Sequence, residues 1–182
     1  MTARIPRHLE HTSARLSERD WAILASLKEC RYLTTKQLAR QFFGMEKTAT
    51  ATPRQANHAF ARLRSLGLTS NLLRRIGGVR AGSAGHVWAL TDTGSRLLAW
   101  HEGHPADPRI REYEPSPAFL DHTLAVAEVV LDLTEAAAAV HASIERVQFE
   151  PAAWRKYLSR SGVAVFLKPD LAATTRVCCT VR

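Results

Sequence analysis

Apolar positions recur at helical spacing in several stretches of the chain and crowd into short runs elsewhere, and their order predicts the architecture. In the first helix Trp21, Leu24, Ala25 and Lys28 follow one face, broadened by Ile23 and Leu27, and the pattern runs to about Glu29. Ser17 and Asp20 stand at capping-box spacing before it, with Leu16 and Trp21 as a hydrophobic staple. After RYL, Thr34 and Gln37 repeat that signal, and Leu38, Ala39, Phe42 and Phe43 give a short second helix stopped by Gly44. A loop, GMEKTATAT, leads to a third helix. It is expected to start at Pro53, with Thr52 as cap and Gln55 reaching back, and to end at Gly67.

This third helix has two faces that ask for different partners. Ala56, Ala59, Phe60, Leu63 and Leu66 form the stripe that seats on a core. Arg54, Asn57, His58, Arg62 and Ser65 point away from it, a set of guanidinium and amide groups suited to guanine and adenine edges, with donors for phosphate. A solvated surface helix is the plainer alternative, since Arg-rich faces are common.

Two runs after it, residues 68–75 and 86–90, read as strands around the glycine-rich, cationic tip IGGVRAGSAG. Three helices followed by such a hairpin predict a winged helix-turn-helix, with the third helix in the major groove and the wing along the backbone. Arg74, Arg75 and Arg80 would then contact phosphates; an ordinary hairpin with a soluble tip is the alternative. TDTGSRLLAW closes the module as a short capped helix.

Between 101 and 116 the chain turns rich in proline and acid, and reads as a linker. His101, Glu102 and His104 do not match a zinc-protease signature, because the histidines are three apart and proline follows. His8 and His11 lack a nearby third ligand, and no metal is assigned there. From Ser116 and Pro117 a long helix runs to about Val140. On it Asp121, Glu128, Asp132 and Glu135 share an arc read as a solvated face, while His122, Val126, Val129 and Leu133 share another, with His122 as a core histidine. A strand over 143–149, the polar segment WRKYLSRSG, and one or two strands within VAVFLKPDLAATTRVCC complete an α/β domain.

The fold class expected is therefore α+β: a basic arm (1–16), a winged-helix domain (17–100), a linker (101–116) and a small α/β domain (117–182). Composition narrows the function. With 182 residues and an apolar fraction of 46%, the chain can bury a real core. Neither an apolar run of eighteen residues nor a secretory signal is present, and Cys30, Cys178 and Cys179 form no disulfide framework, so a cytoplasmic protein is expected. The net charge of +8 is not spread evenly. Residues 1–100 carry 16 Lys and Arg against 6 Asp and Glu, a net of +10, whereas 101–182 carry 9 against 11, a net of −2. Such a bias seeks a polyanion; double-stranded DNA is the expected partner, with no membrane, cofactor or small-molecule ligand.

Five segments, LSERDWAILASLKECRYLTTKQLARQFFG, ARLRSLGL, HVWALTDTGSRLLA, DHTLAVAEVVLDL and LKPDLA, resemble in order the replication-relaxation family. These are winged-helix proteins encoded largely on bacterial plasmids and other mobile elements. The resemblance implies DNA binding in plasmid replication, relaxation or transfer. The C-terminal pattern also resembles the beginning of a restriction-endonuclease-like core. There Glu128 would be the helix acid, Pro169 and Asp170 the second element, and Glu150 an auxiliary carboxylate for Mg²⁺. After Asp170 only LAATTRVCCTVR follows, without an acid, so a complete nuclease site is not expected from this chain, whose end reads as shortened or divergent relative to the family. Asp170 as a strand-end turn residue is the alternative.

The expectation is thus a DNA-binding protein, with enzymatic activity left open and a Mg²⁺-dependent nuclease as the form it would take, and a homodimer through the long apolar helix, because a single winged helix reads few base pairs. A winged-helix transcriptional repressor, a metal-dependent nuclease or nicking accessory, and a protein-interaction module stand as rivals.

Overall fold

The computed structural model describes residues 6–44, 51–72, 86–105 and 114–177, with side chains in the third long helix described from Gln55 onward. The chain is α+β and divides into two compact units, Met1–Leu124 and Ala125–Arg182.

The first unit begins with a short helix α1 (Arg7–Ser13), within the stretch expected as an arm, where Leu9 is buried. Helix α2 (Glu18–Cys30) starts at the Ser17/Asp20 capping box, and α3 (Thr35–Phe43) at the Thr34/Gln37 box, so both reciprocal caps form. Between them Tyr32–Thr34 forms a strand, β1, where the sequence pattern indicated only a connection. Three residues are too few to show a period, and the strand exists because β3 pairs with it. Helix α4 (Ala51–Ser65) begins two residues before the expected start. Proline tolerates this, since the N–H groups of a first helical turn have no intrahelical acceptor to lose. Thr52 therefore lies inside the helix. Gly67 follows at φ 71 and turns the chain into β2 (Thr69–Leu72).

Strand β3 (Val87–Leu90) is the centre of an antiparallel sheet ordered β1-β3-β2, with Leu33 opposite Trp88 and Asn71 opposite Trp88 on the other side. Helix α5 (Asp92–His101) leaves β3 through Thr91, whose hydroxyl accepts the Gly94 N–H at 3.0 Å. His101, expected in the linker, ends this helix and stacks on Trp21 with centroids 3.9 Å apart. Helix α4 packs on α3 and β2, and α2 packs on α3, α5 and β3. The core they enclose holds Ile23, Leu24, Leu27, Leu38, Phe60, Leu63, Leu97 and Leu98, all buried. Tyr32, Val87, Leu120 and Leu124 form a second cluster, and Gln37 Nε2 donates to the Leu124 carbonyl at 2.9 Å beside it.

One polar atom in this unit is at odds with its surroundings. Thr69 Oγ1 is buried and has no hydrogen-bond partner among the described residues. Thr69→Val keeps the shape and removes the unsatisfied hydroxyl, so it is expected to leave stability unchanged or raise it by up to about 1 kcal/mol in urea unfolding. A loss of stability would mean that the hydroxyl is satisfied.

Helix α6 (Pro117–Ala139) opens as the sequence predicts, with Ser116 Oγ accepting the Phe119 N–H. Its buried positions are Leu120, Leu124, Ala127 and Leu131, not the arc of His122, Val126, Val129 and Leu133. His122 is exposed, which corrects its reading as a core histidine. The helix is apolar over so much of its circumference that its pattern alone did not select the packed side.

In the second unit β4 (Ala142–Phe149) pairs antiparallel with β7 (Leu171–Val177), with an irregularity between Ile144 and Arg146. A separate ladder joins β5 (Arg155–Leu158) to β6 (Ala164–Leu167). Strand β5 lies in the segment read as a polar connection. All four of its residues are exposed, so the apolar alternation that reveals a half-buried strand is missing.

Candidate nucleic-acid interface

Helix α4 is seated by Ala56, Phe60 and Leu63, each at most 1% exposed. The Phe60 ring meets Phe43 of α3 edge-on at 6.1 Å and Trp88 of β3 at 5.4 Å. Trp88 is held in turn by a hydrogen bond from its Nε1 to Thr35 Oγ1 at 3.0 Å. Aromatic packing on two sides fixes the rotation of α4 about its axis, and therefore which residues face outward.

Gln55, Asn57, His58, Ala61, Arg64 and Ser65 are exposed. Asn57 and His58 lie on this face as the sequence predicts, and Ser65 turns its hydroxyl back to donate to the Arg62 carbonyl at 2.8 Å. Arg62 does something else. Its guanidinium pairs with Asp20 and donates to the Arg15 carbonyl at 3.3 Å, so it reaches across to the start of α2. The Asp20 side chain is 3% exposed and that of Arg62 33%, so the pair is buried at its anionic end. Burial pushes the Asp20 carboxyl up, but hydrogen bonds from Ser17, the Arg62 hydrogen bond and the Arg62 charge outweigh it and hold it below the usual carboxylate range.

Among the described residues, the arginine that the helix offers outward is Arg64, which sequence reasoning did not single out. Its signal was its place seven residues, two turns, beyond Asn57. Arg54 belongs to the part of α4 whose side chains lie outside the described residues. Arg74, Arg75 and Arg80, with the hairpin tip, also lie outside them. The base of the hairpin is described: Asn71 Nδ2 and His86 Nδ1 approach to 3.3 Å across the strands, and the His86 carbonyl accepts the Thr35 N–H at 2.9 Å. The sheet is thereby tied to the start of α3.

The carboxylates considered for a metal fall apart in part. The Glu150 N–H donates to the Asp170 carbonyl at 3.1 Å, so these two acids adjoin at one end of the β4–β7 ladder. Glu128 stands on α6, and among the described residues no three His, Cys, Asp or Glu side chains are grouped to hold a metal ion. No described helix is long and apolar enough to cross a membrane.

What α4 offers is therefore an amide, an imidazole and a guanidinium on one rigid, outward helix face, chemistry suited to base edges and phosphates. No curated protein and no solved structure matches the chain. The replication-relaxation family model matches residues 24–179, from within α2 to just beyond β7, and by that match the chain belongs to the replication-relaxation family.

Proposed function

We propose that the first unit is a winged-helix module that binds double-stranded DNA, with α4 in the major groove and the β2–β3 hairpin along the backbone, in replication, relaxation or transfer of a plasmid or mobile element. The observation that carries this reading is the two-sided anchoring of α4. Phe60 and the Arg62–Asp20 pair hold the helix from within, while Asn57, His58 and Arg64 are left for a ligand. The net charge of +10 in residues 1–100 and the family support a polyanionic partner. Asn57, His58 and Arg64, with Arg54, read bases or bind phosphate; Arg74, Arg75 and Arg80 bind phosphate; Arg62 acts by positioning α4. A homodimer would double the number of base pairs read.

The test compares wild type with Asn57→Ala/Arg64→Ala on a duplex selected from random sequence. Removing either side chain from a bidentate pairing with a base is expected to weaken binding to the selected site by roughly 1–3 kcal/mol, with a smaller effect on random DNA. Equal affinity of both proteins for the selected site would remove α4 from the interface. A transcriptional repressor would use the same module and differs in the DNA selected, a palindrome near its own promoter.

The adjoining Glu150 and Asp170 favour a second reading, a metal-dependent nuclease or nicking accessory. It requires cleavage with Mg²⁺ or Mn²⁺ that disappears in Asp170→Ala; intact DNA after incubation with either metal sinks it.

A further inference from the structure

Residues 151–169 carry Arg155, Lys156, Arg160 and Lys168 and not one carboxylate. They contain the β5–β6 ribbon, which belongs to the second unit and plays no part in the reading of α4. Its register sets the chemistry of its two faces. Arg155 opposite Leu167 and Tyr157 opposite Val165 share one; Lys156 opposite Phe166 and Leu158 opposite Ala164 share the other. Each face thus combines one aromatic ring with one cation. Both faces are open, with Tyr157 52%, Phe166 54%, Leu167 57% and Leu158 70% exposed.

The ribbon is held at both ends by its own hydrogen bonds. At the tip the Ser159 N–H donates to the Val163 carbonyl and the Gly162 N–H to the Ser159 carbonyl, each at 2.9 Å, with Gly162 at φ 76. At the base Arg155 donates to the Ala152 carbonyl at 2.9 Å and to Gln148 Oε1 at 2.7 Å, while the Lys168 ammonium lies 4.8 Å from the centre of the Trp154 ring. A two-stranded ribbon gains little from apolar side chains left in water on both faces, and such a cluster marks a binding surface.

Charge and ring placement together select the occupant. Four cations without an anion suit a phosphate backbone, and exposed rings beside cations suit bases whose flat faces are free. In a duplex those faces are stacked away; in a single strand they are available. We propose that the β5–β6 ribbon binds single-stranded DNA on the face that Lys156 and Phe166 share, with Phe166 as the stacking platform and Lys156 and Arg160 as phosphate contacts. The choice of DNA over RNA rests on the family reading, while the ribbon residues are separate from those proposed to bind duplex.

The experiment measures binding of the full chain to a fluorescein-labelled oligothymidylate, the matching oligouridylate and a duplex of equal length. Phe166→Ala is expected to lose about tenfold or more in affinity for oligothymidylate and none for duplex. Lys156→Gln/Arg160→Gln, which leaves that ring in place, is expected to make the log-affinity against log-salt slope shallower by about 1.4. Circular dichroism and sedimentation accompany each variant. The proposal is overturned if wild type does not bind oligothymidylate at low salt, or if both variants bind it as wild type does. It is overturned as well if the ring variant changes only self-association, which would make a second copy of the chain the occupant, or if oligouridylate binds more tightly. Absence of duplex binding alone would count against the α4 reading and leave the ribbon standing.

Discussion

Gly94→Ala is expected to destabilise the first unit by about 3 kcal/mol, the upper part of the range for forcing a methyl group into packed structure. A Cβ at residue 94 would lie 2.2 Å from the Leu68 carbonyl oxygen and 2.8 Å from Leu90 Cδ1. The leucine methyl can rotate away; the backbone oxygen cannot. That oxygen also accepts the Thr91 N–H at 3.1 Å, and the Thr91 hydroxyl donates to the Gly67 carbonyl at 2.7 Å. The turn leaving α4 is thereby stapled to the start of α5, and a methyl group at residue 94 drives the staple open. Urea unfolding measures the loss, and because the turn fixes the end of α4, duplex affinity is expected to fall with it. Wild-type stability in Gly94→Ala would mean that α5 does not approach the turn this closely.

Asp20→Ala is expected to cost about 2–4 kcal/mol, because one carboxylate serves two structures. It accepts the Ser17 N–H at 2.7 Å and the Ser17 hydroxyl at 2.6 Å, completing the cap of α2, and it neutralises Arg62 of α4. Its removal frees the cap and leaves a partly buried guanidinium without its anion. The pH dependence has a definite sign. A carboxyl held below its ordinary value in the folded protein stabilises that state above the unfolded value of about 3.9, and the contribution is lost as pH falls through the folded value. The stability difference between wild type and Asp20→Ala should therefore be full at pH 6–7 and shrink below about pH 4. A difference that stays constant to pH 3 would show that the carboxyl is not depressed. Arg62→Ala breaks the same pair, so any loss of DNA binding in that variant must be read beside its stability.

Local chemistry explains what the sequence made legible. Both capping boxes, the buried stripe of Ala56, Phe60 and Leu63, and the start of α6 at Pro117 depend on residues within a turn or two of each other, and all can be read off the chain. What escaped depends on distant partners. Residues 32–34 become a strand only because β3 lies beside them, and Arg62 turns inward only because Asp20, 42 positions earlier, waits at the start of α2. That pairing redistributes the candidate site: Arg62 moves from ligand to scaffold, and Arg64 takes the outward place. Strand β5 escaped for a different reason. Its apolar and basic residues serve neither a core face nor a plain solvent face, so no binary pattern announces it, and the same feature suggests a partner.

Binding of wild-type protein to duplex DNA over a range of salt concentrations tests the account most directly. Three cations are proposed for phosphate alone, Arg74, Arg75 and Arg80 on the hairpin, so the plot of log affinity against log salt is expected to fall with a slope of about −2.7, and more steeply where Arg54 or Arg64 also meets a phosphate. A flat plot, or no binding at low salt, would contradict the claim that the first unit is a DNA-binding module.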